Sequence, residues 1–189
     1  TIGTMKRELY LVAEKYLALL DDSMTDYEKA LVLHDAIAIN CDYDEALGIT
    51  DPYAFTAYGV LCKNRTVCQG YSYAYKYLLD LAGIECHIVS SNQMNHAWNS
   101  VCIDGKYYNV DVTFDDPVHD KIGRVDHKYF LVSDEYIQNN TENGFTKHFG
   151  YSSDYKATSE KFDNYFWKNI SSAFNYYDGS WYFADTNGN

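Results

Sequence analysis

A helix that leads directly into three strand-like runs, across residues 66–114, is the feature that most restricts the fold of this chain. The helix is predicted over TVCQGYSYAYKYLLDLAG, with Thr66 and Gln69 at capping-box spacing and Gly83 just past its end. The runs ECHIVSS, HAWNSVCI and KYYNVDVTF follow, and Asp104-Gly105 between the last two predicts a two-residue hairpin. The capping pattern places Cys68 at the second position of the helix, where the backbone stabilises a thiolate.

Other elements are predicted on both sides of this segment. Apolar spacing indicates a helix over residues 5–20, and the Thr25 and Glu28 pair predicts the start of a second helix that runs towards residue 40. Residues 41–65 are interrupted by Gly48, Pro52 and Gly59 and are predicted to form a long loop with short ordered pieces. The run KYFLVS is predicted as a strand, followed by a short helix over residues 134–138.

The end of the chain differs in character from the rest. We predict one domain over residues 1–170 and a β-hairpin tail over residues 171–189, with turns at Asp178-Gly179 and Asn187-Gly188. The tail is interpreted either as the first part of a β-rich repeat region or as a simple terminal hairpin. Aromatic hairpins of this kind are the basis for expecting an extracellular or cell-surface protein.

Charge and cysteine content exclude several classes of protein. The formal net charge is −12, with a pI near 4.7, which argues against a general nucleic-acid binder. No apolar run is long enough to predict a membrane span in this chain. The five cysteines form no CxxC pair, which argues against a zinc ribbon, and no cofactor is predicted. Two disulfides or reduced core cysteines remain open for four of them, which are Cys41, Cys62, Cys86 and Cys102.

The hairpin register brings a histidine close to a carboxylate. If Asp104-Gly105 forms the turn, paired positions place Asp111 opposite Trp98, and His96 lies on the same strand face, diagonal to Asp111. A carboxylate there can fix the imidazole tautomer, and the free ring nitrogen can serve as base for the Cys68 thiol. Cys68, His96 and Asp111 are therefore predicted as a catalytic triad, and no metal site is predicted. The acidic run DVTFDDPVHD is interpreted as a solvated turn.

Three motifs resemble a known family. The ordered set YGVLCKNRTVCQGYSYAY, NHAWNSV and YYNVDVTFDD is similar to the transglutaminase-like superfamily of papain-type cysteine enzymes, in particular its bacterial branch, over residues 27–134. The resemblance implies an α+β fold with N-terminal helices and a nucleophile-bearing helix packed on an antiparallel sheet. It also implies Cys68 as nucleophile, His96 as base and acid, and Asp111 as the orienting carboxylate. The segment LCKNRTV lacks the oxyanion-hole Gln of papain-like peptidases, so Tyr58 and Trp98 are considered as alternative donors.

Two functions follow from this interpretation. The first is acyl transfer on the amide or peptide bonds of a protein or peptide, including cell-wall peptide, by a peptidase, an amidase or a cross-linking transglutaminase. The second is an inactive cell-surface binding module that keeps the fold. His34 is expected to pack or hydrogen-bond within the core, and His87 is a weaker rival to His96 because no carboxylate pairs with it across a defined turn.

Overall fold

The computed structural model describes residues 1–44, 46, 51–116, 125–141, 144–165, 174–177 and 180–183. The described α-helices are α1 (Ile2–Leu17), α2 (Asp26–Asn40), α3 (Ala57–Lys63), α4 (Cys68–Leu81), α5 (Val112–Asp115) and α6 (Asp134–Asn139). The described strands are β1 (Asp42–Tyr43), β2 (Arg65–Thr66), β3 (Cys86–Ser91), β4 (His96–Ile103), β5 (Lys106–Val110), β6 (Phe174–Tyr177) and β7 (Ser180–Phe183). None of the helices described is long and apolar enough to cross a membrane.

The central sheet is antiparallel, with strand order β3-β4-β5. Ile103 pairs with Lys106 across the predicted two-residue turn, and the same register continues to Asn99 and Val110. Asp104 and Gly105 have φ angles of 52° and 73°, the left-handed pair that a type I′ hairpin requires. The predicted hairpin and its register are therefore confirmed.

Helix α4 is packed between the sheet and the N-terminal helices. The largest hydrophobic cluster joins fully buried residues of α4, α2 and the sheet, including Tyr75, Leu78, Leu79, Leu33, Ile37, Val101, Tyr108 and Val110. Burial of this apolar surface is the main force that fixes α4 against the sheet. The arrangement confirms the predicted α+β architecture and brings the start of α4 to the end of the sheet that holds His96.

The start of α4 differs from the prediction. Val67 is the N-cap and Cys68 is the first helical residue, whereas the sequence placed Thr66 at the cap and Cys68 at the second position. The Thr66 hydroxyl donates instead to the carbonyl oxygen of Ala54 at 2.6 Å, and Thr66 pairs with Tyr43 as part of β2. A tertiary hydrogen bond has therefore displaced the local cap.

Other helix ends follow the predicted signals. Helix α2 begins directly after Thr25, whose N–H donates to Glu28 Oε2 at 2.7 Å. At the end of α4, Gly83 has a φ of 80°, and the N–H of Ile84 donates to the Leu79 carbonyl at 2.9 Å. This is a Schellman motif, which glycine favours because it adopts positive φ without a steric penalty.

Residues 41–65 hold more regular structure than predicted. A 3₁₀ helix at Pro52–Phe55 and helix α3 lie within the segment, so the interpretation of Gly59 as a break was wrong. Gly59 lies inside α3 at a position where a larger residue does not fit. A Cβ there would collide with the Tyr53 carbonyl group, whose carbon would be only 2.8 Å away. The missing side chain allows α3 and the 3₁₀ helix to pack closely.

Two predicted strands end early or do not form. The run KYYNVDVTF is a strand only to Val110, after which Asp111 caps the short helix α5 by accepting from the Phe114 N–H at 3.2 Å. The run KYFLVS forms a single bridge between Val132 and Asn109, because Leu131 has a φ of 52°, which interrupts an extended chain. The helix predicted after it is confirmed as α6.

The chain end contains the predicted strand pair. Strands β6 and β7 are antiparallel, and Tyr177 pairs with Ser180, the register that a two-residue turn gives. The turn residues themselves and the predicted Asn187-Gly188 turn lie outside the described residues. The domain boundary at residue 170 stays a prediction.

Gly70 is expected to be essential for the placement of Cys68. A Cβ at Gly70 would collide with the Thr66 hydroxyl and lie 2.6 Å from the Ala54 carbonyl oxygen. We expect Gly70→Ala to lower the free energy of unfolding by about 1–3 kcal/mol, as overpacking does, measured by urea denaturation.

Gly3→Ala is the matched control for that substitution. Gly3 also lies in the first turn of a helix, but the nearest atom to a Cβ there is 4.0 Å away. Alanine at this position should leave stability unchanged or raise it by up to about 1 kcal/mol. Equal effects of the two substitutions would contradict the steric argument.

Candidate active site

Three elements bring the predicted triad residues together. Cys68 opens α4, His96 opens β4, and Asp111 lies between β5 and α5. His96 Nε2 is 2.6 Å from Asp111 Oδ2, and Cys68 lies close enough to His96 for the imidazole to lower the pKa of its thiol. Since Nε2 faces the carboxylate, Nδ1 is the nitrogen left for the thiol. The result is a continuous chain of thiol, imidazole and carboxylate.

The surroundings of Cys68 favour its thiolate. Burial alone would raise the pKa of this thiol, but the hydrogen bond and charge of His96 and a hydrogen bond from the Ala97 N–H outweigh burial and lower it. Val67 offers no side-chain acceptor to the first turn of α4. Cys68 therefore lies at the positive end of the helix dipole, which also favours a thiolate.

His96 and Asp111 support each other's charged forms. Burial alone would lower the pKa of His96, but the charge and hydrogen bond of Asp111 and the contact with Cys68 raise it to about 10. Burial would raise the pKa of Asp111, yet the His96 charge and the hydrogen bonds from His148 and His96 lower it. The site therefore favours an imidazolium at His96, beside a carboxylate and a thiol whose pKa is lowered.

Aromatic side chains hold the His96 ring in place. Phe114 stacks on it with ring centroids 4.4 Å apart and an angle of 10° between the planes. Trp98 lies 5.9 Å away in a second stacked arrangement. These contacts restrict rotation of the imidazole, so that its two nitrogens stay aligned with the thiol and the carboxylate.

Neither proposed oxyanion-hole side chain is available for that role. The Tyr58 hydroxyl donates to Glu8 on α1 at 2.6 Å, and the Trp98 indole N–H donates to Asn109 Oδ1 at 3.0 Å. The backbone N–H of Cys68, at the start of α4, is the donor that the geometry retains.

The acidic run after β5 is not a solvated turn. Asp111 and Asp115 are fully buried and Asp116 is 5% exposed, because the segment folds into α5 and its carboxylates serve as hydrogen-bond acceptors. Residues 117–120 of the run lie outside the described residues.

A second histidine, which was not predicted, lies at the site. His148 is fully buried and its Nε2 lies 2.7 Å from Asp111 Oδ2, the oxygen that also faces His96. It follows Asp111 by 37 positions and belongs to no described helix or strand. No periodicity or turn signal could have connected the two residues.

A separate buried cluster lies behind α5. His34 Nδ1 is 2.8 Å from Asp35 Oδ1, His34 Nε2 is 3.2 Å from Asp115 Oδ2, and His127 Nε2 is 2.8 Å from Asp35 Oδ1. Asp115 also accepts from the Tyr129 N–H at 3.0 Å. His34 thus has the hydrogen-bonding core role that the sequence suggested, and the cluster ties α2 to α5.

Among the residues that the structure describes, two groups of side chains bring potential metal-ligand atoms within 4.8 Å of one another, namely His34, Asp35 and His127, and His96, Asp111 and His148. In each group the histidine nitrogens lie 2.6–2.8 Å from a carboxylate oxygen. Two ligands at about 2.0 Å from a tetrahedral zinc are separated by about 3.3 Å. Hydrogen-bonded pairs therefore account for both groups.

The remaining histidine and cysteine candidates lie elsewhere. His87 Nε2 pairs with Glu85 at 2.8 Å and its ring stacks on Tyr155 at 3.4 Å.

All five cysteines are free thiols: Cys41, Cys62, Cys68, Cys86 and Cys102.

Comparison with known proteins identifies the family of this chain. The sequence profile of the transglutaminase-like superfamily matches residues 17–112, about half of the chain. The chain therefore belongs to the transglutaminase-like superfamily.

Similar proteins include kyphoscoliosis peptidase from Homo sapiens, 29% identical over 119 residues, which cover 55% of this chain and 18% of the relative. The Mus musculus protein of the same name is 28% identical over 111 residues, covering 51% and 17%. The chain thus spans less than a fifth of the length of these curated relatives.

Solved structures with a similar arrangement include a TGase, with a TM-score of 0.47 and 16% identity over 59% of this chain and 32% of that one. A proposed cysteine protease from Cytophaga hutchinsonii gives a TM-score of 0.44 and 21% identity, covering 58% and 37%.

The His34 cluster predicts a specific pH dependence of stability. Burial alone would lower the pKa of His34, but hydrogen bonds to Asp115 and Asp35 raise it from 6.5 to about 9. Because the folded pKa is the higher one, His34 stabilises the protein fully below pH 6.5 and loses that contribution as pH rises through about 9.

The measurement compares wild type with His34→Gln. We expect the difference in unfolding free energy, obtained from urea denaturation at several pH values, to be largest below pH 6.5 and to shrink towards pH 9. His87→Gln, which removes a partly exposed histidine pair, should give a small difference at each pH. A His34 difference that is constant across this range would contradict a titrating buried pair.

Proposed function

We propose that this domain is a cysteine-dependent acyl-transfer enzyme that acts on amide or peptide bonds. The observation that carries the proposal is the convergence of Cys68, His96 and Asp111, with Nε2 of His96 2.6 Å from the carboxylate and the thiol near enough to His96 for its pKa to be lowered. This is the arrangement that nucleophilic catalysis by a thiol requires.

The first half of the reaction forms a thioester. The Cys68 thiolate attacks the substrate carbonyl carbon, and the resulting oxyanion is placed near the backbone N–H of Cys68 at the start of α4. The His96 imidazolium donates its Nδ1 proton to the leaving amine as the carbon–nitrogen bond breaks. Asp111 keeps the ring oriented and stabilises its positive charge beforehand.

The second half regenerates the thiol. His96, now neutral, removes a proton from an incoming acceptor, which attacks the thioester carbonyl and releases Cys68. Water as acceptor gives hydrolysis, and a primary amine gives transamidation. Similarity to kyphoscoliosis peptidase favours hydrolysis of a peptide bond, and we propose a protein or peptide substrate on this basis.

Selective reactivity of Cys68 is the first expected result. With its pKa lowered from 9.0, Cys68 should react with iodoacetamide well below pH 9, and His96→Ala should move its reaction profile towards that of an ordinary thiol. The rate at each cysteine is measured against pH by peptide mass spectrometry.

Two other thiols of the same molecule are internal controls. Burial raises the pKa of Cys62 and of Cys102, so both should react more slowly than Cys68 at every pH below 9. An unshifted Cys68 profile that His96→Ala leaves unaltered would reject the proposed ion pair.

Turnover should depend on the same thiol. We expect Cys68→Ala to abolish cleavage of a denatured protein or incorporation of a fluorescent primary amine into it, whereas Cys62→Ala keeps wild-type activity. Release of new N-termini identifies hydrolysis, and amine incorporation identifies transamidation. Activity that persists in Cys68→Ala would contradict the acyl-enzyme and favour another function for the fold.

A further inference from the structure

His148 occupies a position at the site that the proposed reaction does not by itself require. Its Nε2 lies 2.7 Å from Oδ2 of Asp111, and Nε2 of His96 lies 2.6 Å from the same oxygen. The other carboxylate oxygen, Oδ1, accepts from the Phe114 N–H. Each carboxylate oxygen of Asp111 therefore has a hydrogen-bond partner, and Oδ2 faces a ring nitrogen of both His96 and His148.

The backbone and ring of His148 are fixed independently of Asp111. The His148 N–H donates to the Ile137 carbonyl of α6 at 2.9 Å, and Nδ1 lies 3.2 Å from the Thr146 carbonyl oxygen. The Thr146 N–H in turn donates to the Tyr129 hydroxyl at 2.6 Å. Trp98 contacts the ring edge to face, with centroids 4.7 Å apart.

This contact comes from a part of the chain beyond the family match. The superfamily profile ends at residue 112, whereas His148 follows α6. The His148 ring is fully buried, and its backbone and Nδ1 have partners of their own. Because its Nε2 also faces the carboxylate of the triad, the role of His148 goes beyond packing.

We propose that His148 is a positioning residue for the acyl-transfer reaction, holding Oδ2 of Asp111 in the orientation that keeps His96 directed at Cys68. The inference rests on the proposed function of the triad. Without the His148 contact, the carboxylate keeps only the Phe114 N–H and the His96 ring as partners, so it is held less firmly and His96 loses part of the support for its charged form.

The titratable groups that face this network from the described elements are few. Cys68 lies at the start of α4, His96 in β4, Asp111 before α5 and His148 after α6, with Tyr43 near the thiol and Tyr129 near the carboxylate. Burial raises the pKa of Tyr43 and raises that of Tyr129 to about 12. Neither tyrosine should therefore affect a profile recorded between pH 5 and about 8.

The test is the pH profile of Cys68 alkylation in His148→Leu and His148→Gln. Leucine fills the space without a donor, and the glutamine amide nitrogen replaces the Nε2 donor. We expect His148→Leu to lower the rate at pH 6 about tenfold, the effect of one pKa unit on the thiolate fraction. His148→Gln should restore most of the wild-type rate, which a purely structural residue would not show.

Control variants show whether an effect on the alkylation profile is specific to His148. His87→Leu removes a histidine whose Nε2 also pairs with a carboxylate at 2.8 Å, outside the network, and should leave the profile unaltered. Circular dichroism and urea midpoints verify folding. If His148→Leu fails to fold, His148→Asn takes its place, because the shorter amide does not reach Oδ2.

The possible results distinguish the proposed function from the inference about His148. A wild-type profile with an ordinary thiol pKa, unaffected by His96→Ala, rejects the acyl-transfer proposal and the role of His148 with it. A lowered thiol pKa that depends on His96 but not on His148 retains the proposed function and overturns only the inference. Slow alkylation in His148→Leu with recovery in His148→Gln supports both.

Discussion

The hydrogen bonds to the Asp111 carboxylate are the interaction on which the rest of the site depends. A fully buried carboxylate is costly unless its charge and its oxygens are matched. Here Oδ1 caps α5 and Oδ2 faces the rings of His96 and His148. The Asp111 N–H also donates to the Tyr129 carbonyl at 3.0 Å. One residue thus ends β5, starts α5 and sets the charge of the imidazole that meets the thiol.

The local sequence was sufficient to predict the β4–β5 hairpin, but it did not predict the residue at which α4 begins. Asp104-Gly105 determines a two-residue turn, and the turn determines the register, so the diagonal relation of His96 and Asp111 could be predicted from the sequence. The capping-box spacing before Cys68 was misleading because the Thr66 hydroxyl donates to Ala54, which lies 12 positions earlier. A tertiary partner therefore decided the cap, and local spacing does not show such partners.

Long-range polar contacts account for what the sequence could not predict. His34 meets Asp115 across 81 positions, and His148 meets Asp111 across 37. Neither pair shares a helix face or a strand register, which are the two periodicities that relate residues in a sequence. The same limit explains the acidic run after β5. Asp115 and Asp116 were expected in solvent because their partners, His34 and Tyr71, lie far away in the sequence.

The segment after residue 112 contributes contacts to the predicted triad. The superfamily profile covers Cys68, His96 and Asp111, but the second contact to Asp111 comes from His148, and the support behind α5 comes from His127 through Asp35. His96 lowers the pKa of the thiol, and Asp111 raises the pKa of His96. Two domains with the same triad but different segments after β5 would therefore differ in thiolate stability. The pKa of the Cys68 thiol thus reflects more than its own position, because the His96 and Asp111 side chains that act on it are held by other parts of the fold.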